Sequence, residues 1–403
     1  MPANAVNFKL LLALGYASGT YFIDEVLAKV VDPAGFQKLI YLLILRYPMK
    51  KYTSLLIVVV TIICACSSKK GQVTPTVPDT TASKGLYTYA NFPVGASINV
   101  DLLRNNAVYT ALVTKQYNSV TAENAMKFGY VHPAENTYNY TDADYLVTFA
   151  QKTGKRVHGH NLVWYIGLPD WVTNFQGDSA AWEQMLKSHI QNVVTHFKGK
   201  VVSWDVVNEG LNDDGTPRQS IWEQHLGTDY IARCYQYAHE ADPDALLFYN
   251  DYGNEYSPSK RAAIINLVNG LKQRGIPIDG VGIQMHTNSN TSDQDIAAAI
   301  TVTAASTGLK IHVSELDIAM NPNNIQTMTF TSAVASAQAV KYKALVKVYN
   351  SLPAAQKFGI TTWDVSDADS WIAGYYKRPD WPLPFNNLYQ PKPAYQAIID
   401  GFN

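Results

Sequence analysis

The chain has 403 residues, of which 47% are hydrophobic and 16% charged, and its formal net charge is −1. This balance allows a large buried core and gives no electrostatic basis for binding nucleic acid or an anionic membrane surface. Aromatic residues make up 12% of the chain, which favours an uncharged partner such as a sugar.

A secretory signal peptide is the first element that the sequence predicts, over residues 49–65. Two lysines follow Met49, an apolar stretch runs from Leu55 to Ala65, and polar residues come directly after it. The apolar stretch is too short to form a membrane-spanning helix. Residues 1–48 are interpreted as an upstream extension without a functional signal, of the kind that a misplaced start codon produces.

The signal peptide ends in ICAC, residues 63–66, which resembles the lipoprotein box of exported bacterial proteins. In that motif the cysteine after a small residue is lipidated and becomes the mature N-terminus. The resemblance implies that Cys66 carries a lipid that anchors the protein to a bacterial membrane, at the outer membrane or the cell surface. An uncleaved anchor, assisted by the apolar run from Leu39 to Leu45, is the alternative.

Residues 66–84 are predicted to be a linker, because they are rich in Thr and Pro and lack periodicity. Residues 85–403 are predicted to form one folded domain, since no internal repeat or second linker interrupts them. Cys64 and Cys66 lie close together and Cys234 has no evident mate, so no disulfide framework is indicated. Cys234 lies in a helical pattern and is interpreted as an inert packed thiol.

Short β-rich runs alternate with amphipathic helical segments after Gly85. The predicted strands are Phe92–Ile98, Ser119–Ala122, Arg156–Leu162, Val201–Val207, Leu246–Asn250, Gly280–Met285, Lys310–Ser314 and Gly359–Thr362. The predicted helices include Ala181–Phe197, Asp229–Ala241, Lys260–Arg274, Asp293–Ser306 and Ser332–Asn350. Eight strands separated by helices predict an α/β protein, a (β/α)8 TIM barrel. A doubly wound open sheet is the alternative, but no Gly-rich phosphate loop follows the first strand.

Chemically reactive residues follow seven of the eight predicted strands, as the active-site face of such a barrel requires. From the second strand to the eighth they are Glu123, Asn124 and Lys127; His160 and Trp164; Asn208 and Glu209; Asn250, Asp251 and Tyr252; Gln284 and His286; Glu315 and Asp317; and Trp363. Exposure of a strand end to water would explain why polar residues follow any one strand. It does not readily explain such residues after seven strands in succession.

Two carboxylates, Glu209 and Glu315, follow the fourth and seventh strands and can face each other across the barrel mouth. Such a pair is the machinery for breaking a glycosidic bond, provided that the two groups titrate differently. Glu209 follows a nearly continuous apolar strand, which favours its protonated, acid form. Glu315 has His312, Asp317 and, on the adjacent strand, His286 nearby, and these groups are expected to hold it ionised as a nucleophile.

Six motifs, WDVVNE, HVSELD, TAENAMK, GHNLVW, GIQMH and TTWDVSDADSW, are similar in order and spacing to those of glycoside hydrolase family 10. Members of that family are retaining endo-β-1,4-xylanases with no cofactor. The resemblance runs from Tyr89 to the C-terminus and includes FYNDYG and YQPKPAYQAI. One motif by itself would be weak, but six in order at the expected strand ends are specific.

The resemblance implies a role for each matching residue. Glu209 matches the acid/base, Glu315 the nucleophile, and Asn208 the residue that binds the 2-hydroxyl of the sugar being cleaved. His286 and Asp317 match the support of the nucleophile. The residues that match the polar grip on the sugars of the non-reducing side are Glu123, Asn124 and Lys127. Those that match the walls and floor of the cleavage subsite are His160, Trp164, Gln284, Trp363 and Trp371. Tyr252 matches a residue on the leaving-group side.

Some of these residues have a simpler interpretation. His158 and His160 imitate the paired histidines of metal-dependent barrels, but the fourth strand offers Asn208 and Glu209 in place of further metal ligands. No metal is therefore predicted. Trp204 is interpreted as core rather than as part of the site, because tryptophan is usually well buried.

The sequence departs from the family pattern at three positions near the predicted site. Tyr165 and Gly167 stand where the family has His and Gln, and Asp364 replaces a glycine. These changes affect the substrate-binding side and leave both catalytic carboxylates intact. Weaker binding of the sugars on the non-reducing side is expected from the missing side chain at Gly167.

The main hypothesis is a monomeric, lipid-anchored retaining endo-β-1,4-xylanase that acts on xylan or xylo-oligosaccharides. A barrel that captures glycans without cleaving them is a second hypothesis, which the intact Glu209 and Glu315 disfavour. A related barrel hydrolase that prefers β-glucan is the third.

Overall fold

The computed structural model describes residues 84–403 in full and, before them, only the backbone of three short strands. These strands, Phe22–Lys29, Ile40–Arg46 and Val58–Val59, pair antiparallel in a small sheet of their own. Cys66, most of the predicted signal peptide and residues 66–83 of the predicted linker lie outside the described residues.

Eight parallel strands close into a barrel within residues 75–403. In chain order they are Val94–Ile98, Ser119–Ala122, Arg156–Gly159, Ser203–Asn208, Leu246–Asp251, Gly280–Ile283, Lys310–Ala319 and Lys357–Thr362. The first strand pairs with the eighth, Val94 opposite Ile360, and this pairing closes the ring. A short segment, His286–Asn288, extends the sixth strand and pairs with the seventh. The predicted (β/α)8 barrel is confirmed.

Helices connect successive strands and cover the outside of the barrel. The α-helices are Val100–Asn105, Ala107–Gln116, Phe128–Val131, Thr141–Lys152, Asp170–Thr173, Ser179–Phe197, Ile221–Leu226, Tyr230–Ala241, Pro258–Gln273, Asp293–Thr307, Ser332–Asn350, Trp371–Tyr376 and Pro393–Phe402, and 3-10 turns span Leu86–Tyr89 and Ala354–Gln356. No helix in residues 84–403 is long and apolar enough to cross a membrane.

Side-chain caps fix where several of these helices begin. The carboxylate of Asp178 accepts the backbone N–H of Ala181, and the hydroxyl of Thr331 accepts that of Val334. Such caps satisfy N–H groups that have no partner within the helix. Ser179–Phe197 starts two residues before its predicted start, and Ser332–Asn350 has its predicted bounds.

The eight barrel strands are buried except for the first residue of four of them, because helices cover the outside of the barrel and side chains fill its inside. All six residues of Ser203–Asn208 are buried. Trp204 is 1% exposed and packs outside its strand against Gly159, where an added Cβ would lie 2.1 Å from the indole ring. The prediction that Trp204 belongs to the core is therefore confirmed.

Aromatic and imidazole rings fill the lower part of the barrel. The rings of Phe248 and Phe358 lie 4.4 Å apart, and those of His158 and His312 lie 4.7 Å apart. His312 bonds to Thr361 through Nε2 at 2.8 Å, so the expectation that it lies beside Glu315 was wrong. The donors to Glu315 are instead Asn250 and His286. The register of the seventh strand is irregular between Val313 and Leu316, so nearness along the strand does not show which side chains meet. The filled interior leaves only the carboxyl ends of the strands free to form a cleft.

Candidate active site

Glu209 lies directly after the fourth strand and has a backbone that few residues other than glycine adopt. Its φ is +56°, and its side chain and backbone together are only 9% exposed. The backbone is held on both sides, because Glu209 N–H donates to the Asn250 carbonyl at 2.9 Å and Arg218 Nε donates to the Glu209 carbonyl at 2.8 Å. Unusual backbone geometry of this kind is typical of positions where a side chain must be aimed.

Amide groups surround the carboxylate of Glu209. Gln284 Nε2 donates to Glu209 Oε1 at 2.9 Å, and Asn208 Nδ2 donates to the same oxygen at 3.3 Å. Both of these hydrogen bonds, which the described residues make to the Glu209 carboxylate, end on Oε1. The second oxygen, Oε2, is thus available to give a proton to a ligand or to take one from it.

Glu315 lies within the seventh strand, 5% exposed, between two donors. Asn250 Nδ2 donates to Oε1 at 2.7 Å, and His286 Nε2 donates to Oε2 at 3.1 Å. Burial alone would raise the pKa of Glu315, but the hydrogen bond from His286, the neighbouring His160 and the bond from Asn250 outweigh it. The net effect lowers the pKa, and Glu315 is ionised as the sequence predicted.

His286 is held between two carboxylates. Its Nδ1 donates to Asp317 Oδ2 at 2.7 Å while Nε2 donates to Glu315, so both ring nitrogens carry a proton. Burial opposes the charge, but the attraction of Asp317 and Glu315 raises the pKa of His286 well above its usual value. Trp371 Nε1 donates to the same oxygen of Asp317 at 2.9 Å. His286 and Asp317, the residues predicted to support Glu315, are thus connected to it by a chain of hydrogen bonds.

The polar residues after the second strand form a connected group at the rim of the same cleft. Asn124 Nδ2 donates to Glu123 at 2.9 Å, and Lys127 Nζ donates to Asn124 at 3.0 Å. Lys127 lies 5.2 Å from the ring centre of Trp164 and 5.7 Å from that of Trp363. Burial lowers the pKa of Lys127, and the carboxylates around it offset only part of this effect. The structure thus brings together the residues predicted to grip sugars on the non-reducing side.

The wall between this polar group and Glu315 is formed by His160, Trp363 and Trp371. The rings of His160 and Trp363 meet edge to face at 5.1 Å, and those of His286 and Trp371 also lie 5.1 Å apart. Aromatic faces beside buried polar groups are typical of sugar-binding clefts.

The paired histidines of the third strand share one carboxylate. Asp205 Oδ2 lies 3.0 Å from His158 Nε2 and 2.9 Å from His160 Nδ1. Burial would raise the pKa of Asp205, but the two histidines outweigh it and lower the pKa. The shared hydrogen-bond partner gives the two neighbouring histidines a structural reason to occur together. Residues 84–403 contain no group of three or more His, Cys, Asp or Glu side chains that could hold a metal.

Tyr252 lies on the predicted leaving-group side, next to an arginine that the sequence did not single out. Arg218 Nη2 donates to the Tyr252 hydroxyl at 3.1 Å, and that hydroxyl donates in turn to Asp213. The Arg218 guanidinium also lies over the ring of Tyr165, 4.2 Å from its centre. Tyr165, one of the departures from the family pattern, therefore packs against the cation that holds the Glu209 backbone.

Backbone geometry explains Gly167, and hydrogen bonds hold Asp364 in place. Gly167 has φ +71°, and its carbonyl accepts the N–H of Gly129 at 3.2 Å. Asp364 has φ +75°; its carboxylate accepts the N–H of Trp371 at 3.1 Å, and its own N–H donates to Ser97 Oγ at 2.7 Å. Burial raises the pKa of Asp364 well above its usual value. Both residues shape the loops that carry substrate-facing groups.

The sequence analysis gave no role to three residues that the structure places in the site: Asn250, which it noted only as a strand-end residue, Asp205 and Arg218. Asn250 and Asp205 were visible at or near the ends of predicted strands, which is the signal that identified their neighbours. Arg218 follows an irregular loop, and no pattern in the sequence marks it.

Comparison with known proteins assigns the same region to one family. The sequence profile described as Glycosyl hydrolase family 10 matches residues 83–401. Endo-1,4-beta-xylanase A of Cellvibrio japonicus is 38% identical over 350 residues, which cover 79% of this chain and 56% of that protein. This chain thus spans about half the length of that relative. Endo-1,4-beta-xylanase B of Paenibacillus barcinonensis is 38% identical over 322 residues, 77% of this chain and 96% of that protein.

A solved structure agrees with the barrel described above. Xylanase 10B from Thermotoga petrophila, crystallised in complex with xylobiose, superimposes with a TM-score of 0.75 at 32% sequence identity. The match covers 80% of this chain and 98% of that one.

Proposed function

Because this chain belongs to glycosyl hydrolase family 10, we propose that it is an endo-1,4-β-xylanase that hydrolyses internal xylosidic bonds of xylan and xylo-oligosaccharides. The observation that carries the proposal is the contrast between the two strand-end carboxylates. Glu315 is held ionised by His286 and Asn250, whereas Glu209 has one oxygen available for proton transfer. A nucleophile and an acid that face one cleft are what a retaining glycosidase requires.

The proposed reaction is a double displacement. Glu209 gives its proton to the leaving glycosidic oxygen while a carboxylate oxygen of Glu315 attacks the anomeric carbon, so one C–O bond forms as the other breaks. Glu209, now ionised, then removes a proton from water. The water oxygen attacks the same carbon and releases Glu315 as a carboxylate. Two inversions return the original anomeric configuration, and no cofactor takes part.

The remaining residues bind and orient the sugars in this proposal. Asn208 contacts the 2-hydroxyl of the sugar being cleaved, and Gln284 holds both Asn208 and Glu209 in place. The group formed by Glu123, Asn124 and Lys127 binds the non-reducing side. Aromatic rings next to the cleft exclude water and face the sugar rings, namely Trp164, Trp363, Trp371 and Tyr252.

Release of reducing ends from linear xylan tests the activity. A parallel assay on a soluble cellulose derivative distinguishes a xylanase from a β-glucan hydrolase. Binding to xylan without release of reducing ends would instead support a barrel that only captures glycans. NMR of the first product tests retention, which also requires the two carboxyl groups to lie about 5–5.5 Å apart. The inverted anomer would contradict the double displacement.

The proposal for the location of the enzyme is separate and rests on the sequence alone. The protein is exported and anchored by a lipid on Cys66 to a bacterial membrane, at the outer membrane or the cell surface, and the catalytic domain acts as a monomer. Residues 66–84 would give the domain reach from the membrane to a polymeric substrate.

A further inference from the structure

Asp364 lies shortly after the eighth strand, at a position where the chain departs from the family pattern. The residue is 1% exposed, and its φ of +75° falls in the left-handed region that favours glycine. Glycine, the residue of the family pattern, would adopt this backbone without strain. A buried carboxyl group that is present despite the strain indicates that the group has a role.

Hydrogen bonds hold Asp364 through its backbone and through its side chain. Its N–H donates to Ser97 Oγ at 2.7 Å, and its carbonyl accepts the hydroxyl of Thr362 at 2.9 Å. Its carboxyl oxygen Oδ2 accepts the backbone N–H of Trp371 at 3.1 Å. Trp371 is the first residue of the helix Trp371–Tyr376, where N–H groups have no partner within the helix. The Asp364 side chain therefore ties the start of this helix to the end of the eighth strand.

Trp371 links Asp364 to the groups that support the nucleophile. The indole Nε1 of Trp371 donates to Asp317 Oδ2 at 2.9 Å, and its ring centre lies 5.1 Å from that of His286. His286 in turn bonds to both Asp317 and Glu315. Trp371 is thus held at two points, at its backbone by Asp364 and at its indole by Asp317. A ring held at both points presents a constant surface to a sugar in the cleft.

The surroundings of Asp364 favour its neutral form. Burial raises its pKa well above the usual value, and the hydrogen bond from Trp371 offsets only part of this effect. The charged groups that act on it are Glu123, Asp369, Asp317 and Lys127. Three of these four are carboxylates, which further disfavour a negative charge on Asp364. A neutral carboxyl group still has an oxygen that accepts an N–H, so the bond to Trp371 does not require the charge.

We infer that Asp364 is a positioning residue for the cleavage subsite, because its hydrogen bond to the Trp371 backbone sets the place of the indole ring against the sugar. The inference rests on the proposed xylanase function and adds to it a residue that stands outside the family pattern. Asp364 acts through Trp371 and by means of an acceptor oxygen. A carboxamide can therefore replace the carboxyl group, whereas glycine cannot.

Two replacements separate the hydrogen bond from the backbone conformation. Asp364→Gly removes the acceptor but suits the positive φ, so the protein should keep or gain stability in a thermal unfolding measurement. Its kcat/KM on linear xylo-oligosaccharides should nevertheless fall roughly two- to tenfold, mostly through a higher KM, as for loss of one hydrogen bond behind a sugar-binding residue. Asp364→Asn keeps an acceptor oxygen and should retain both kcat and KM.

Lys377→Gly is the matched control for placing glycine at a positive φ. Lys377 is exposed at the other end of the same helix and has φ +51°. Its replacement should leave kcat/KM unchanged.

A double-mutant cycle tests whether the effect passes through Trp371. In a Trp371→Ala background, Asp364→Gly should cause little further loss of kcat/KM. Fluorescence gives a second readout that needs no substrate. The emission of Trp371, taken as the difference from Trp371→Phe, should shift in Asp364→Gly and stay in place in Asp364→Asn.

Three results would overturn the inference. They are full activity of Asp364→Gly, equal losses in Asp364→Gly and Asp364→Asn, and an undiminished loss in the Trp371→Ala background. The second would show that the charge of Asp364 matters rather than its acceptor oxygen. Inactivity of the unaltered protein on linear chains would instead refute the xylanase function, and the fluorescence comparison would still decide whether Asp364 positions the ring.

Discussion

The side-chain amide of Asn250 donates a hydrogen bond of 2.7 Å to the carboxylate of Glu315. The same nitrogen lies 2.8 Å from Asn208 Oδ1, and Ser314 Oγ donates to Asn250 Oδ1 at 2.7 Å. An added Cβ on Gly282 would lie 2.2 Å from Asn250 Oδ1, so the glycine on the next strand gives the amide its space. Asn250 thus fixes the nucleophile relative to the residue that precedes the acid.

Replacement of Asn250 by Ala is expected to lower kcat/KM on linear xylo-oligosaccharides roughly ten- to a hundredfold. The change removes a donor to a charged carboxylate and the acceptor of the Ser314 hydroxyl, while Asn208 keeps only its longer bond from Gln284. Asn269→Ala is the matched control, because Asn269 is partly exposed and, among the described residues, its side chain bonds to the carbonyl of Ser306. Full activity of Asn250→Ala would show that Glu315 needs no fixed donor from the fifth strand.

The two catalytic carboxylates are expected to respond differently to removal. Glu315→Ala should abolish turnover on every substrate, since no glycosyl-enzyme can form. Glu209→Ala should nearly abolish xylan cleavage but spare the first step on aryl xylosides whose leaving group needs no proton. Burst kinetics with an activated aryl substrate measure the difference. Equal losses in both variants on that substrate would void the assignment of roles.

His286→Gln is expected to move the acidic limb of the kcat/KM profile to higher pH. Asp317 and Glu315 raise the pKa of His286, and the hydrogen bond from His286 lowers that of Glu315. Removal of His286 therefore lets burial raise the pKa of the nucleophile. The measurement is kcat/KM on a linear oligosaccharide across the acidic range. An acidic limb that stays in place would mean that other donors keep Glu315 ionised.

The same variant has a consequence for stability. Because the folded pKa of His286 is raised, its stabilising effect is complete below its ordinary pKa and is lost as pH rises through the folded value. The free energy of unfolding of the unaltered protein should therefore decline on the alkaline side, and His286→Gln should lack this part of the decline. Denaturant titrations at several pH values are the measurement.

Gly167→Gln is expected to destabilise the protein by about 1–2 kcal/mol, because the position has φ +71°. The fall in Tm should be a few degrees. Nothing lies within 4 Å of an added Cβ, so the position has room for the new side chain, which is expected to improve kcat/KM on short oligosaccharides. Gly167→Asn is the control for conformation, since Asn tolerates this backbone better. A Tm unchanged in Gly167→Gln would mean that the loop adjusts without strain.

Cys66→Ala is expected to release the protein from the membrane fraction. Stable anchoring requires more than one acyl chain or a second signal, and the lipoprotein modification supplies several chains to one cysteine. Fractionation of cells that produce each form, with xylanase activity as the readout, is the measurement. Cys234→Ala is the matched control, because Cys234 is buried in the catalytic domain. Retention of Cys66→Ala in membranes would favour an uncleaved anchor within residues 1–65.

The barrel and its two carboxylates were predictable because they follow from local patterns. Buried strands read as apolar runs, and the change to a carboxylate marks the active-site end of the fourth and seventh strands. Glu209 follows the fourth strand directly, whereas the seventh strand continues past Glu315 to Ala319. Each predicted strand overlaps an observed one, and most differences are shifts of one to three residues at the ends, where boundaries depend on pairing with neighbouring strands.

The contacts that the sequence did not predict join residues that lie far apart along the chain or in irregular loops. The bond between Asn250 and Glu315 joins two strands, and Arg218 acts on a backbone carbonyl nine residues earlier. His312 was assigned to the site by its nearness in sequence to Glu315, but it bonds to Thr361 and lies among the rings that fill the barrel. Gly167 was interpreted as a missing contact, yet its positive φ gives the glycine a conformational reason.

The pairing of Val94 with Ile360 joins strands that stand near opposite ends of the domain sequence. During synthesis, the first seven strands emerge while both outer edges of the sheet remain unpaired, until Lys357–Thr362 leaves the ribosome. Unpaired edges recruit other chains and promote aggregation. Both catalytic carboxylates precede that last strand. Recovery of soluble protein from a host cell should therefore depend on the rate of translation and on temperature, and substitutions within the cleft should affect it little.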